Sequence, residues 1–234
     1  KRQVRPSIAD PGAYVRANVL GTEVMLAESH RAGCARLVMA SSSSVYGNNP
    51  KVPFAETDDV SAPISPYAAT KRSCELIGHT HWALHRAPVG CLRFFTVYGP
   101  RQRPDLAISM FIGRIARGGE IPMFGDGSMS RDYTFIDDIV AGVIASYDRI
   151  ESHGFRVWNL GGNEPVKLRE MIATIERVVG KPAKIRNMPA QPGDVERTFA
   201  DLARSREELA YAPATRFEAG VAKQWEWAKA SGLV

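Results

Sequence analysis

The sequence has 234 residues, of which 44% are hydrophobic, 24% are charged and 9% are aromatic. This is ordinary globular composition, and it excludes a collagen-like, low-complexity or disordered protein. The length suits one large domain or a domain with a smaller lobe. Thirty basic and twenty-five acidic residues give a net charge of +5. The excess is spread along the chain, which argues against a nucleic-acid-binding arm and allows an anionic ligand.

The cysteines and histidines show no ligand or disulfide pattern. The three cysteines, Cys34, Cys74 and Cys91, lack CxxC spacing, so we predict no disulfide framework and no metal site, and we favour a reducing cytoplasmic compartment. None of the five histidines is expected to be catalytic or metal-bound. No segment approaches the roughly 18 apolar residues of a membrane span, and the first residues, KRQVRPSIADPG, lack the apolar region that a signal peptide needs. The chain begins at Lys1 without an initiator methionine, which raises the question of an upstream segment.

The first elements alternate between helix and strand. Apolar residues at helical spacing predict a long helix over Tyr14–Ala32, which Gly33 ends. The apolar run Ala35–Ala40 predicts a strand buried in a parallel sheet. After a loop, Ser65-Pro66 is suited to the N-cap and first turn of a helix, which we expect to run from about Tyr67 to His85.

The later elements continue this alternation. The predicted segments are a strand over Gly90–Phe95, a helix over about Leu106–Arg117, a helix opened by Asp137 and Asp138, a strand over Arg156–Leu160 and a helix over Leu168–Val179. Alternating strands and helices predict an α/β protein with a partial Rossmann-type parallel sheet flanked by helices. Ligands of such sheets bind at the carboxyl ends of the strands. We place a soft domain boundary near Pro100, with a smaller C-terminal α/β lobe beyond it.

Tyr67 and Lys71 lie four residues apart in the predicted Tyr67–His85 helix, and therefore on one face of it. A cation beside a phenol lowers the pKa of the phenol toward working pH, which makes a usable base. Such pairs are also common on helix surfaces without any chemical role. The run Ser41–Ser44 at the end of the preceding strand favours chemistry, because its hydroxyls could bind the oxygen that Tyr67 deprotonates.

Six motifs occur in the order and approximate spacing of a known family: ASSSSVYG, SPYAATK, LRFFTVYGPRQRPD, FGDGSMSRDYTFIDDIV, NLGG and QPGDV. The sequence resembles the extended short-chain dehydrogenase/reductases, in particular the NAD-dependent nucleotide-sugar epimerases, over nearly the whole chain. The PRQRPD segment and the serine-rich loop are most similar to those of the UDP-glucuronate 4-epimerases. The resemblance implies an isomerase with NAD as cofactor and a UDP-sugar as substrate.

The resemblance also implies residue roles. Tyr67 would be the catalytic base at the sugar 4-hydroxyl, Lys71 would hold the nicotinamide ribose, and Ser42 and Ser44 would bind the 4-oxygen. A 4-keto sugar would form and rotate within the pocket, and hydride would then return to the opposite face of C4. The positions that match cofactor contacts are Asn18, Ala40, Ser41, Tyr67, Lys71, Phe94 and Phe95. The positions that match substrate contacts are Ser42, Ser43, Thr96, Arg103, Ile121, Pro122, Phe124, Arg131 and Asp194.

Some substrate contacts have a specific implied partner. Arg103 would bind a C5 carboxylate, Arg131 the UDP diphosphate, and Asp194 a ribose. Ile121, Pro122 and Phe124 would line the uracil pocket. Without the resemblance, the aromatic residues could equally be core, and Arg103 could be solvated.

The residues beside the serines distinguish the reaction from its neighbours. Related 4,6-dehydratases carry an Asp-Glu pair there and decarboxylating relatives carry a Glu, whereas this sequence has Ser43-Ser44-Val45-Tyr46. Without a carboxylate, elimination and acid-assisted decarboxylation lack an agent, so the sequence favours epimerisation.

One family feature is missing from the sequence, the GxxGxxG turn that binds the NAD pyrophosphate. Residues 1–100 would then be a truncated NAD-binding domain that carries the catalytic residues, and residues 101–234 mainly the nucleotide-sugar lobe. The chain is either incomplete or a true truncation, which would weaken NAD binding and expose the edge of the first strand. Two alternatives stay open: an impaired member that binds a UDP-sugar or assembles with a partner, and an NAD-linked alcohol/ketone oxidoreductase. The family also suggests a homodimer through the Tyr14–Ala32 and Tyr67–His85 helices.

Overall fold

The computed structural model describes residues 4–189 and 195–234. Its helices are α1 (Val4–Ala9), α2 (Pro11–Tyr14), α3 (Gly21–Arg31), α4 (Pro66–His85), α5 (Ala107–Ala116), α6 (Ile136–Arg149), α7 (Leu168–Val179), α8 (Ala203–Leu209) and α9 (Phe217–Ala230). Its strands are β1 (Leu37–Ala40), β2 (Val89–Phe94), β3 (Thr96–Tyr98), β4 (Glu120–Phe124), β5 (Ser130–Phe135), β6 (Phe155–Leu160), β7 (Pro165–Lys167) and β8 (Lys184–Met188). The helix predicted over residues 168–179 and the α/β class are confirmed.

The predicted helix over Tyr14–Ala32 is wrong in its start and in its regularity. Helical structure already precedes Tyr14 in α1 and α2, and α2 starts at Pro11 because the side chain of Asp10 accepts a hydrogen bond of 3.0 Å from the backbone N–H of Ala13. Wider π-helical turns over Val15–Leu20 then join α2 to α3. Gly33 follows with a φ of 70°, the left-handed conformation that favours glycine after a helix.

The described part of the chain divides into two compact units. Unit 1 contains the described residues up to Phe95 together with Val140–Leu160 and Ala200–Ala212. Unit 2 contains Thr96–Ile139, the described residues of 161–199 and Pro213–Val234. The first division falls between Phe95 and Thr96, and two later segments belong to unit 1.

The sheet of unit 1 has the order β1-β2-β6, with all strands parallel. Leu37 pairs with Val89 and Ala40 with Leu92 across β1 and β2. The expectation that β1 is buried is wrong: its first three residues are half-buried and Ala40 is exposed. In the described residues β1 pairs only with β2, so it forms an edge of the sheet.

Helix α4 begins as predicted at Ser65-Pro66. The hydroxyl of Ser65 accepts a hydrogen bond of 3.1 Å from the backbone N–H of Ala68, and Pro66 occupies the first turn. Further along α4, Gly78 lies so close to the sheet that an added Cβ would be 3.2 Å from side-chain atoms of Met39 and Val89. This close approach sets α4 against β1 and β2.

Unit 2 contains one sheet of order β3-β5-β7 and a parallel pair, β4-β8. Its core includes Ile112 of α5, Phe135 of β5, Ile175 of α7 and Val221 of α9. None of the helices in residues 4–189 and 195–234 is long and apolar enough to span a bilayer.

Candidate active site

A tight turn of serines follows β1. We call residues 42–46 the serine turn: Ser42 is its extended N-cap and Ser43–Tyr46 form a 3₁₀ turn. The hydroxyl of Ser42 accepts a hydrogen bond of 3.1 Å from the backbone N–H of Ser44 and donates one of 3.1 Å to the Ser44 hydroxyl. The backbone N–H of Ser41 donates to Leu92 O at 2.7 Å, which extends the β1–β2 pairing to the start of the turn. The Ser42 and Ser44 hydroxyls therefore meet at the carboxyl end of a parallel strand.

The first turns of α4 carry Tyr67 and Lys71. The Tyr67 ring is buried and packs edge-to-face on Tyr14, with ring centroids 6.1 Å apart. The Nζ atom of Lys71 donates a hydrogen bond of 2.8 Å to the carbonyl oxygen of Ala40, the last residue of β1. Lys71 thus connects the helix that carries Tyr67 directly to the strand that leads into the serine turn.

A cavity of about 420 Å³ lies beside the edge strand β1. Asn18, Ala40 and Lys71 are among the residues that line it. Asn18 is buried and its Nδ2 donates a hydrogen bond of 3.0 Å to the hydroxyl of Thr70. The cavity therefore brings together three of the predicted cofactor-binding residues.

Phe94, the last residue of β2, and Phe95, which follows it, are the two residues predicted to lie near the nicotinamide, and they differ in burial. Phe94 is half-buried, whereas Phe95 is buried and its ring centroid lies 6.4 Å from that of Tyr46 and 6.5 Å from that of Phe54. Phe95 therefore belongs to an aromatic cluster in unit 1.

The predicted substrate residues beyond Phe95 lie in unit 2. Arg103 is exposed, and its Nε donates a hydrogen bond of 3.0 Å to Asp105 Oδ1. Arg131 is half-buried and its Nη1 donates to Ser130 O at 2.9 Å. Four other matched positions lie on β3 and β4. Three of them are half-buried: Thr96, Pro122 and Phe124. The fourth, Ile121, is buried in the core of unit 2. Asp194 lies outside the described residues.

Glu75, a buried carboxylate on α4 beside the serine turn, was not predicted from the sequence as a site residue. Glu75 accepts hydrogen bonds from Arg93 Nε and Nη2, both at 2.8 Å, from Arg72 Nη1 at 3.0 Å and from Ser41 Oγ at 2.6 Å. Burial acts to raise the pKa of Glu75, but the bonds from Arg93 and Ser41 hold it below its ordinary value. The available signals were a charged residue inside the apolar strand GCLRFF and a glutamate one helical turn after Lys71.

Tyr46, at the end of the serine turn, is bonded to the buried side chain of Asn159. Its hydroxyl donates a hydrogen bond of 2.7 Å to Asn159 Oδ1 on β6, and Arg93 lies over its ring, 4.8 Å from the centroid. Burial raises the pKa of Tyr46 to about 12, although the charge of Arg93 opposes the shift. Tyr46 therefore stays a neutral phenol near pH 7, which leaves Tyr67 as the candidate base.

The histidines depart from expectation in their contacts. The ring of His30 on α3 lies 5.8 Å from that of His81 and 4.2 Å from that of His85 on α4, measured between centroids. Even so, no group of three or more His, Cys, Asp or Glu in the described ranges could hold a metal ion.

A family model described as the NAD dependent epimerase/dehydratase family matches residues 2–161. A relative from Rhizobium meliloti (strain 1021), named probable UDP-glucuronate 4-epimerase, is 41% identical over 241 residues, which cover 96% of this chain and 71% of the relative. The solved structure of MoeE5 in complex with UDP-glucose and NAD is 36% identical, with a TM-score of 0.92 over 98% of this chain and 76% of that chain. UDP-glucuronic acid 4-epimerase from Bacillus cereus, in complex with UDP-glucuronic acid and NAD, is 32% identical, with a TM-score of 0.90 over 98% and 73% of the two chains.

The model match covers more than half of the chain, and it includes both the serine turn and the Tyr67–Lys71 pair. The chain therefore belongs to the NAD dependent epimerase/dehydratase family.

Proposed function

We propose that this chain catalyses the NAD-dependent 4-epimerisation of a UDP-sugar, interconverting UDP-glucuronate and UDP-galacturonate. The observation that carries this proposal is the 2.8 Å bond from Lys71 to Ala40, which ties the helix bearing Tyr67 to the end of β1. The Ser42 and Ser44 hydroxyls follow directly from that strand end. The names of the Rhizobium meliloti and Bacillus cereus proteins support the choice of a uronate substrate.

The cavity beside β1 fits the nicotinamide ribose of NAD. Lys71 can donate to ribose hydroxyls, and Asn18 adds a buried amide to the same cavity wall. NAD supplies the hydride acceptor and donor for C4 when it is bound. We assign no residue to the pyrophosphate, since the sequence contains no GxxGxxG turn.

Tyr67 moves the proton in this proposal. As the phenolate, its oxygen takes the proton from the 4-hydroxyl and later returns it, while the Ser42 and Ser44 hydroxyls bind the sugar 4-oxygen. Lys71 holds its positive charge one helical turn away on the same face. These three kinds of group would supply the proton transfer and the binding of the 4-oxygen, and the hydride transfer at the same carbon would be left to NAD.

Elimination is disfavoured by what surrounds the serine turn. Residues 42–46 contain no carboxylic acid. The carboxylate of Glu75, which bonds to Ser41, is already occupied by Arg93 and Arg72. A group fixed in this way is a poor general acid, so the site favours epimerisation over dehydration.

Arg103 is the residue that we assign to the sugar carboxylate, and Arg131 the one that we assign to the diphosphate. The guanidinium of Arg103 already pairs with a carboxylate, that of Asp105, through Nε and Nη2. Because this pair is exposed, it is weak and can exchange for a substrate carboxylate of the same geometry.

Product analysis tests the function. With NAD present, wild-type protein should convert UDP-glucuronate to UDP-galacturonate, measured by chromatography or proton NMR, and should leave UDP-glucose largely unchanged. Tyr67→Phe should lower kcat by roughly 100-fold or more, as expected when a general base is lost. Tyr147→Phe is the matched control, because Tyr147 is exposed on α6. Arg103→Ala should reduce the preference for the uronate; UDP-glucuronate binding without turnover would overturn the proposal in favour of a binding role.

We also infer a homodimer formed through α3 and α4. Large apolar side chains are exposed on both helices. Leu20, just before α3, and Val24, within it, lie one helical turn apart. Leu76 and Leu84 on α4 lie two turns apart. Two such stripes suit a helical interface, because each copy can cover those of the other.

Sedimentation velocity tests the dimer. A dimer that dissociates on Leu76→Glu is expected, since a charge in an apolar interface is costly. Val140→Glu is the control, because Val140 is exposed on another helix, α6. A wild-type monomer, or a dimer that tolerates Leu76→Glu, would contradict this interface.

The cysteines favour a reducing cytoplasmic location. Cys34 is exposed, Cys74 and Cys91 are buried, and all three are free thiols. Burial raises the pKa of the Cys91 thiol, which keeps it protonated and unreactive. Recovery of the native protein in the cytoplasmic fraction, with three titratable thiols after denaturation, is the expected result.

A further inference from the structure

The pair Glu75–Arg93 lies beneath the serine turn and takes no part in the proposed proton transfer. Its side chains are 0% and 2% exposed, and both carboxylate oxygens accept hydrogen bonds from the guanidinium. A buried ion pair contributes little net stability, because the desolvation of both ions offsets their attraction. Such a pair does impose one geometry on the elements that carry it, since bidentate bonds are directional.

Glu75 connects three segments of the candidate site. It lies one helical turn beyond Lys71 on α4, and Arg93 lies on β2. Its Oε1 also accepts the 2.6 Å hydrogen bond from the hydroxyl of Ser41, the residue between β1 and Ser42. One carboxylate therefore joins the end of β1, the Lys71 face of α4 and the neighbouring strand.

Two consecutive residues at the end of β1 are bonded to α4. Ala40 accepts from Lys71 at 2.8 Å, and Ser41 donates to Glu75 at 2.6 Å. The backbone of Ser41 is already held to β2 by its bond to Leu92 O. The two bonds to α4, one helical turn apart, add a fixed direction of the strand end relative to the helix. This direction sets the Ser42 hydroxyl, and displacements of about 1 Å in a reacting constellation can cost about 100-fold in rate.

We propose that Glu75 is a positioning residue, which acts through Ser41 to fix the serine turn against the Tyr67–Lys71 face of α4. Arg93 holds the carboxylate ionised and in place. The catalytic consequence rests on the proposed epimerase function, but the ordering of the serine turn does not.

Substitutions at Ser41 test this proposal without breaking the buried ion pair. Ser41→Ala removes the hydroxyl that reaches Glu75, and Ser41→Thr retains one. Ser146→Ala is the matched control, because Ser146 is also buried and its hydroxyl donates within α6, to Val143 O at 2.8 Å. For Ser41→Ala we expect kcat to fall about tenfold or more, with KM and the Kd for UDP-glucuronate within about twofold of wild type. Ser41→Thr should restore kcat to within about threefold, and Ser146→Ala should leave it unchanged.

Amide hydrogen exchange supplies a second readout, made without NAD or substrate. Ser41→Ala should speed exchange in residues 42–47 by about threefold or more and leave β2 and β6 unchanged, while Ser41→Thr should resemble wild type. Unchanged exchange in Ser41→Ala would overturn the proposal. So would a fall in kcat that Ser41→Thr does not rescue. If the wild-type protein fails to epimerise UDP-glucuronate, the proposed function fails, and the exchange data still decide the role of Glu75.

Discussion

The loss of Asn159, a buried residue bonded to the serine turn, should affect both stability and the site. It is fully buried on β6, where its Oδ1 accepts the 2.7 Å bond from Tyr46 and its Nδ2 donates to Phe54 O at 2.8 Å. Asn159→Leu keeps the side chain near its original size but removes both of its hydrogen-bonding groups. The Tyr46 hydroxyl is then left buried without its partner, whereas the Phe54 carbonyl keeps a hydrogen bond of 2.9 Å from the backbone N–H of Asp201.

The cost follows from the Tyr46 hydroxyl. A buried polar group left without its partner costs about 1 to 3 kcal/mol, so Asn159→Leu should lower the free energy of unfolding by about that amount. That is a large share of the roughly 5 to 15 kcal/mol that stabilises a typical protein. Because Tyr46 ends the serine turn, kcat should fall as well.

A double-mutant cycle in urea measures the part that belongs to the Tyr46 bond. In a Tyr46→Phe background the hydroxyl no longer exists, so Asn159→Leu leaves one polar group fewer unsatisfied. The double variant should therefore be less destabilised than the sum of the single variants, by about 1 to 3 kcal/mol. Strict additivity, or a loss below about 1 kcal/mol for Asn159→Leu alone, would refute the reasoning.

Three further outcomes are expected. The pKa of Tyr46 in the folded state is about 12, against an ordinary 10.0. The stability that the neutral phenol contributes is therefore complete below pH 10 and is lost between about pH 10 and 12. In Tyr46→Phe the free energy of unfolding should fall by about 2 to 3 kcal/mol less over this range than in wild type. Burial, with two neighbouring imidazoles, lowers the pKa of His81 from 6.5; the unfolded state then binds the proton more readily, so stability should fall below about pH 6.5, and less so in His81→Gln. Gly142→Ala should destabilise by about 1 to 3 kcal/mol in urea, because its Cβ would lie 2.8 Å from a methyl of the fully buried Leu160. Gly113→Ala meets only the flexible end of an arginine and should be neutral or stabilising.

Local cues predicted the elements whose ends depend on nearby residues. The Ser65-Pro66 pair placed the start of α4, since capping is a contact between residues three apart. Apolar periodicity gave both ends of α7. In contrast, the periodicity of Tyr14–Ala32 could not show that Asp10 starts the helix earlier or that Val15–Leu20 form wider turns.

Contacts between distant segments lay beyond the sequence. The apolar run of β1 suits a strand with neighbours on both sides, but its burial depends on what pairs with it, and β2 is its one partner in residues 4–189 and 195–234. His81 and His85 are one turn apart in the sequence, whereas the third ring, His30, comes from another helix. Periodicity along one segment carries no information about such partners.

Arg93 shows how far a physical rule could have extended the prediction. A charge in a buried strand is too costly to stand alone, so an arginine inside GCLRFF requires a buried carboxylate nearby. The sequence offers 25 acidic residues, and the rule does not choose among them. The α/β order narrows the choice to residues on the helix packed against that strand, and on α4 the sole acidic residue is Glu75. The fold class and the cost of a buried charge together therefore identify a pair that neither motif matching nor periodicity reveals.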